Sequence, residues 1–267
     1  MNILRTFFSI LFCISLATPV FSQDLSSNGE QQTRELSFEK KIQLALDYME
    51  IQNVIARHVY YFNAQKQYEE LDAIWSKAPD IAYGHNGGFK VGQESVRNYY
   101  GGMNERQRKK KLEIMSQLYQ DVKNVKENEG IGDLVMMPVQ TPCIEVAGDG
   151  KTAKGVWFSY GMNFEVGADG KPVAYSFWGK MGVDFIKEDG KWKIWHLVGY
   201  GDVMWRNEQS WVDNINPPLE RTVPEDENWD KLKDPPYQLY SAKTLPQYDP
   251  KPPEPYETWD DSMSYAK

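Results

Sequence analysis

The chain has 267 residues, 41% of them hydrophobic and 13% aromatic, which is enough apolar material to bury a core without cross-links. A formal charge of -8 and a pI of about 5.1 exclude the broad basic field that nucleic-acid binding needs. The two cysteines are Cys13 and Cys143, and the first falls in an N-terminal apolar run, so a mature protein lacking that run would have no intramolecular disulfide.

Arg5, the apolar stretch Thr6 to Ala17 and the small residues Val20 and Ser22 predict a secretory signal peptide over 1–22, cleaved before Gln23. The stretch is too short to span a bilayer. The expected location is periplasmic or secreted, with no stable membrane insertion after cleavage. Residues 23–35 are polar and read as a flexible leader. From Leu36 to Asn63 no Gly or Pro intervenes, and Ile42, Ala45, Leu46, Met49, Asn53, Ala56 and Tyr60 recur at three and four as an apolar stripe, predicting one long amphipathic helix. Tyr68 to Trp75 predicts a short helix stopped before Pro79. Ile81 to His85 and Phe89 to Val91 flank the turn Asn86, Gly87, Gly88 as a hairpin, and helical stretches follow over 93–100 and 106–122. The basic run Arg106 to Lys111 reads as a solvated helix face.

Asp149-Gly150, Asp169-Gly170 and Asp189-Gly190 recur every twenty residues between runs rich in Val, Trp, Tyr and Phe. Asp-Gly suits the positive φ of a tight hairpin, so 134–146, 152–166, 173–187 and 192–205 are predicted as four long antiparallel strands in a meander. Helices followed by a meander give an α+β class. Beyond Asn214 lie ten of the chain's 15 prolines, interleaved with Trp229, Tyr237, Tyr240, Tyr248, Tyr256, Trp259 and Tyr265. Aromatic content of that kind predicts a 214–267 tail laid extended against the barrel or a neighbouring subunit.

The helix motif Asn53 to Tyr61 with Arg57 and His58, the segment Thr141 to Gly150, and Lys191 to His196 resemble the SnoaL-like branch of the nuclear-transport-factor-2-like superfamily over roughly 36–205. The resemblance implies a cone-shaped barrel in which the long helix packs on a curved antiparallel sheet, the domain covering 36–213. Scytalone dehydratase and the bile-acid 7α-dehydratases look similar in layout. Their helical Tyr-Asp pair falls at or near His58 and Asn63, their first-strand Tyr falls on His85, and the His before their Thr-Pro step falls on Gln140.

The only histidines are His58, His85 and His196, all on elements that line the pocket in this fold. Imidazole is the natural general base near neutral pH. Their spacing matches no metal-ligand motif, and no glycine pattern cradles a phosphate, so neither metal nor other cofactor is expected. Expected catalytic residues are His85 and His196, with Tyr61 as helical partner and His58 in reserve. Asn63, Tyr83, Tyr160, Trp178 and Tyr200 are expected to bind substrate, Ile194, His196 and Val198 sharing one strand face. Which face of the first helix meets the cavity stays open. The implied function is a cofactor-independent lyase or isomerase, dehydrating or deformylating, on an aromatic, polyketide-like or steroid-like substrate. The alternative is a non-catalytic binder of hydrophobic small molecules. A homo-oligomer, dimer or trimer, is the expected assembly.

Overall fold

The computed structural model describes residues 36–167, 169–213, 215–217 and 228–267. The expected signal peptide, the whole of the leader, and Asn214 with 218–227 of the tail lie outside the described residues. All elements below belong to the unit Ser37–Lys267.

Helix α1 (Phe38–Asn63) starts at Ser37, whose hydroxyl accepts from the Lys40 backbone N–H. Its buried side is Asp47, Ile51, Val54, Ile55 and His58. The expected stripe is on the opposite side, with Ile42, Leu46, Met49 and Tyr60 all exposed. The helix carries apolar residues around much of its circumference, and periodicity alone does not rank two such faces. What decides is pairing. The carboxylate of Asp47 accepts from Trp192 Nε1 at 3.0 Å and Lys187 Nζ at 2.6 Å, so a charged residue marks the buried side.

Helix α2 (Gln67–Ala73) leads to the hairpin β1 (Ala82–His85) and β2 (Gly88–Val91). The two helical stretches expected next are one continuous run. It comprises α3 (Gln93–Val96), a π turn (Arg97–Gly101) and α4 (Gly102–Leu118). Of the basic residues in α4, Lys109 and Lys110 are exposed, whereas Lys111 is buried.

The meander forms as expected, with strands β5 (Thr152–Val166), β6 (Pro172–Glu188) and β7 (Lys191–Arg206). Gly150, Gly170 and Gly190 all take positive φ, between 71° and 76°, which is the reason glycine stands at each turn. The first long strand is broken into β3 (Leu134–Met136) and β4 (Val139–Val146), both on β5. Pro138, which has no backbone N–H, stands at the break, and a bulge around Thr141 (φ 54°) follows. A two-residue strand β8 (Lys231–Leu232) adds to β2. The sheet is unclosed, in the order β3-β5-β6-β7-β1-β2-β8.

Two apolar clusters sit on the two faces. One packs Ile51, Ile55, Trp75, Val183, Phe185 and Leu197 between helices and sheet. The other packs Phe89, Val198 and Tyr200 under Tyr237 and Tyr265 of the C-terminal segment. No helix among the described residues is long and apolar enough to cross a membrane.

Candidate functional site

A cavity of about 200 Å³ lies between the helices and the sheet. Strand alternation sends Tyr83 and His85 of β1 into it together. The π turn supplies Tyr99 and Tyr100, and the end of α1 supplies Phe62. These rings form one wall. Tyr83 meets Tyr100 at 4.6 Å and His85 edge-on at 5.0 Å between centroids, within the range of favourable aromatic pairs. Trp229 of the C-terminal segment packs on His85 at 6.2 Å and on Tyr99 at 5.3 Å.

Behind this wall Glu70 is fully buried. Its Oε1 meets Trp75 Nε1 and His58 Nδ1, each at 2.8 Å, and its Oε2 accepts from Tyr100 Oη at 2.7 Å. Burial pushes the Tyr100 phenol well above its usual range, and the Glu70 charge adds to the shift. Tyr100 is therefore held as a neutral hydroxyl that donates its hydrogen bond to Glu70. His58 is also buried, and its Nε2 has no hydrogen-bond partner among the described residues.

The far end of the cavity is charged. Lys111 Nζ bonds both oxygens of Asp133, at 2.9 and 3.1 Å, and Glu165 at 3.2 Å. Burial raises the Asp133 carboxyl above the ordinary range, with Lys111 opposing the shift. Arg108 donates through Nη1 to Gln67 Oε1 at 3.2 Å, and burial draws its guanidinium below its ordinary value. An aromatic wall with His85 thus faces a cationic and acidic end across one small space.

Other expected site residues are placed elsewhere. Asn63 accepts from the Met137 N–H at 3.2 Å at the end of α1, and Tyr61 is half-buried against the main core. His196 is on the other face of the sheet. The cause is a bulge in β7: Phe185 pairs with Ile194 and Asp184 with His196, leaving Trp195 as the extra residue. Ile194 therefore faces the helices, whereas His196, Val198 and Tyr200 face the C-terminal segment, which corrects the single shared face expected for them. There His196 Nδ1 meets Asp184 Oδ2 at 2.9 Å and Ser264 Oγ at 3.1 Å. Asp184 also accepts from Lys154 Nζ at 2.7 Å and from the Tyr265 N–H at 3.0 Å. Both Ser264 and Asp184 address the same imidazole nitrogen, so the trio lacks the relay geometry of a serine nucleophile. Tyr200 Oη donates to the Tyr265 carbonyl at 3.3 Å. Tyr160 and Trp178 pair at 6.0 Å on this face too, beside Phe158, and none of them borders the inner cavity. Lys180 Nζ, also on β6, donates to Tyr237 Oη at 2.7 Å and to Asp202 Oδ1 at 3.4 Å.

Glu70, Tyr99, Tyr100 and Arg108 were not singled out by the sequence. A signal for Glu70 existed, since Gln67, Glu70 and Leu71 lie one turn apart on the buried face of α2.

Residues 43–198 match the family model described as a SnoaL-like domain. The chain belongs to that family. Among solved structures it is similar to a candidate scytalone dehydratase from Novosphingobium aromaticivorans, at 11% identity over 62% of this chain and 90% of that one, with a TM-score of 0.45. It is likewise similar to the LinA-type3 hexachlorocyclohexane dehydrochlorinase of Novosphingobium barchaimii, at 11% identity over 62% and 93%, with a TM-score of 0.42. A third is an NTF2-like protein with a cystatin-like fold from Novosphingobium aromaticivorans, at 14% identity over 65% and 92%, with a TM-score of 0.40. No curated protein matches the chain. The SnoaL-like match runs from within α1 through the first half of β7 and so contains His58, Glu70, His85, Tyr100 and Arg108, and it ends before the C-terminal segment.

Proposed function

We propose that this SnoaL-like protein is a cofactor-independent lyase or isomerase acting on a small aromatic alcohol or ketone in the inner cavity. The observation that carries this reading is the convergence of His85, a ring of aromatic side chains and Arg108 on one space of about 200 Å³. Small-molecule sites usually enclose about 300–1,000 Å³, so the volume favours a single-ring substrate over a steroid. Phe62, Tyr83 and Tyr99 would bind the ring. His85 would take the proton from carbon, and Arg108 would stabilise the oxygen on which negative charge develops. Tyr100, its proton committed to Glu70, would accept a hydrogen bond from a substrate hydroxyl, and His58 would act through Glu70 as a positioning residue. Among the described residues no cluster of three or more His, Cys, Asp or Glu side chains is placed to hold a metal ion.

The test is turnover by chelator-treated protein on single-ring aryl β-hydroxy ketones and on single-ring aryl propanediols. Elimination of water or formaldehyde that survives chelation is the expected result. Saturable ligand binding with no turnover of either class would give the binding-domain reading instead, and activity lost to chelation would overturn cofactor independence. We further propose that the chain is exported, with Gln23 at the mature N-terminus, and that it forms a homo-oligomer. Intact mass of the exported protein and light scattering check these, and a protein beginning at Met1 or a monomer would count against them.

A further inference from the structure

The C-terminal segment encloses a second cavity, of about 440 Å³, on the outer face of the sheet. Its walls are Tyr200 of β7, Tyr256, Tyr265 and the proline run between Pro250 and Pro255. Four lysines border it, namely Lys154, Lys233, Lys251 and Lys267, against the acids Asp249 and Glu254. Lys154 is matched by Asp184 and lies over the Tyr265 ring at 3.6 Å. Lys233 is different. It is half-buried and anchored by its backbone N–H on the Gly87 carbonyl at 3.0 Å, yet its ammonium makes no ion pair or hydrogen bond among the described residues. Its company is the Tyr200 ring at 5.3 Å. Burial lowers its pKa and the Lys267 charge lowers it further, with Asp249 the opposing influence. A half-buried cation without a direct counter-ion, at the edge of an apolar cavity, is an incomplete electrostatic arrangement.

We propose that this outer cavity is a binding site for a small aromatic carboxylate, its anionic group on Lys233 and Lys267 and its ring against the tyrosine and proline walls. The volume lies within the usual range of about 300–1,000 Å³ for small-molecule sites. The walls select an organic anion over inorganic phosphate, since tyrosine and proline offer flat apolar area that a bare oxyanion does not use. The site does not depend on the reaction proposed for the inner cavity, from which the sheet separates it.

The probe is benzoate, titrated calorimetrically into the full chain at low ionic strength, with benzamide as the neutral isostere and phosphate as the bare anion. Benzoate is expected to bind saturably at one site, to weaken with salt, and to lose about tenfold or more in affinity in Lys233→Gln, the scale of one charge-assisted contact. Lys267→Gln, at an exposed position, should weaken binding in the same direction and covers the case in which Lys233→Gln fails to fold. No saturable benzoate binding, benzamide binding as tightly as benzoate, or phosphate binding in its place would each overturn the proposal. So would benzoate affinity lost in Arg108→Gln but kept in Lys233→Gln, because that outcome puts the anion in the inner cavity.

Discussion

Asp184 is the fully buried carboxylate that joins the sheet to the C-terminal segment, and replacing it with Asn removes the charge while keeping the shape. The carboxylate takes Lys154 Nζ on Oδ1, and on Oδ2 it takes Ser264 Oγ at 2.9 Å, the Tyr265 N–H and His196. Asn presents an NH₂ on one side, which must meet a donor from one of these partners, and it leaves the Lys154 ammonium buried without a counter-charge. Removing one partner of a buried pair typically costs about 3–5 kcal/mol. At about 2–4 °C per kcal/mol for a chain of this size, melting should fall by about 6–20 °C. The last residues should loosen as well, since Ser264 and Tyr265 lose their shared acceptor, so chymotrypsin should cut at Tyr256 to Tyr265 faster than in the parent. Differential scanning calorimetry and timed proteolysis read the two effects. A variant that melts within about 2 °C of the parent and resists protease equally would refute the reasoning, on the scale just given. Turnover per folded molecule should change little, because the network is on the outer face.

His85→Ala and His196→Ala should separate. The first should lower kcat/KM by about a hundredfold or more with little change in melting, and the second should lower melting while turnover per folded molecule persists; equal effects on both quantities would count against the two-face arrangement. Tyr100→Phe leaves Glu70 Oε2 without its donor and should cost about 1–3 kcal/mol of stability, measured by urea denaturation. Acid should destabilise the protein through Asp184. Burial alone would raise its pKa, but His196 and Lys154 outweigh that and hold it below the usual carboxylate range. The stability it contributes is therefore present above its unfolded pKa of about 3.9 and lost as pH falls through the lower folded value, and Asp184→Asn should flatten that part of the pH–melting curve.

The strands were legible because their turns are chemically explicit. Asp189 itself takes φ 49° and Gly190 73°, a conformation few other residue pairs tolerate, so Asp-Gly fixes the turn and the intervening apolar runs follow. The hairpin placing Tyr83 and His85 in the cavity was legible for the same reason, through Asn86 to Gly88. The buried face of α1 was not. Asp47 and His58 count against burial in any hydrophobic pattern, and their partners Trp192, Lys187 and Glu70 are between 12 and 145 residues away. Glu70 illustrates the general difficulty. Its burial is tolerable only because three donors from α1, the segment after α2 and the π turn converge on it, and convergence of that kind is a tertiary property. His196 was misplaced for a smaller reason, one supernumerary residue in a strand.

That residue, Trp195, acts as a points-switch on the strand. From His196 to Gly201 each side chain takes the face opposite to the one simple alternation from Ile194 would assign, until a second extra residue, Asp202, shifts the register again. Deleting Trp195 would make Ile194 and His196 neighbours that keep their partners Phe185 and Asp184, so each would hold its face without the bulge. Point substitutions on this one sixteen-residue strand can therefore alter the outer cavity at Tyr200 and the helix-facing core at Ile194 and Leu197 as independent traits.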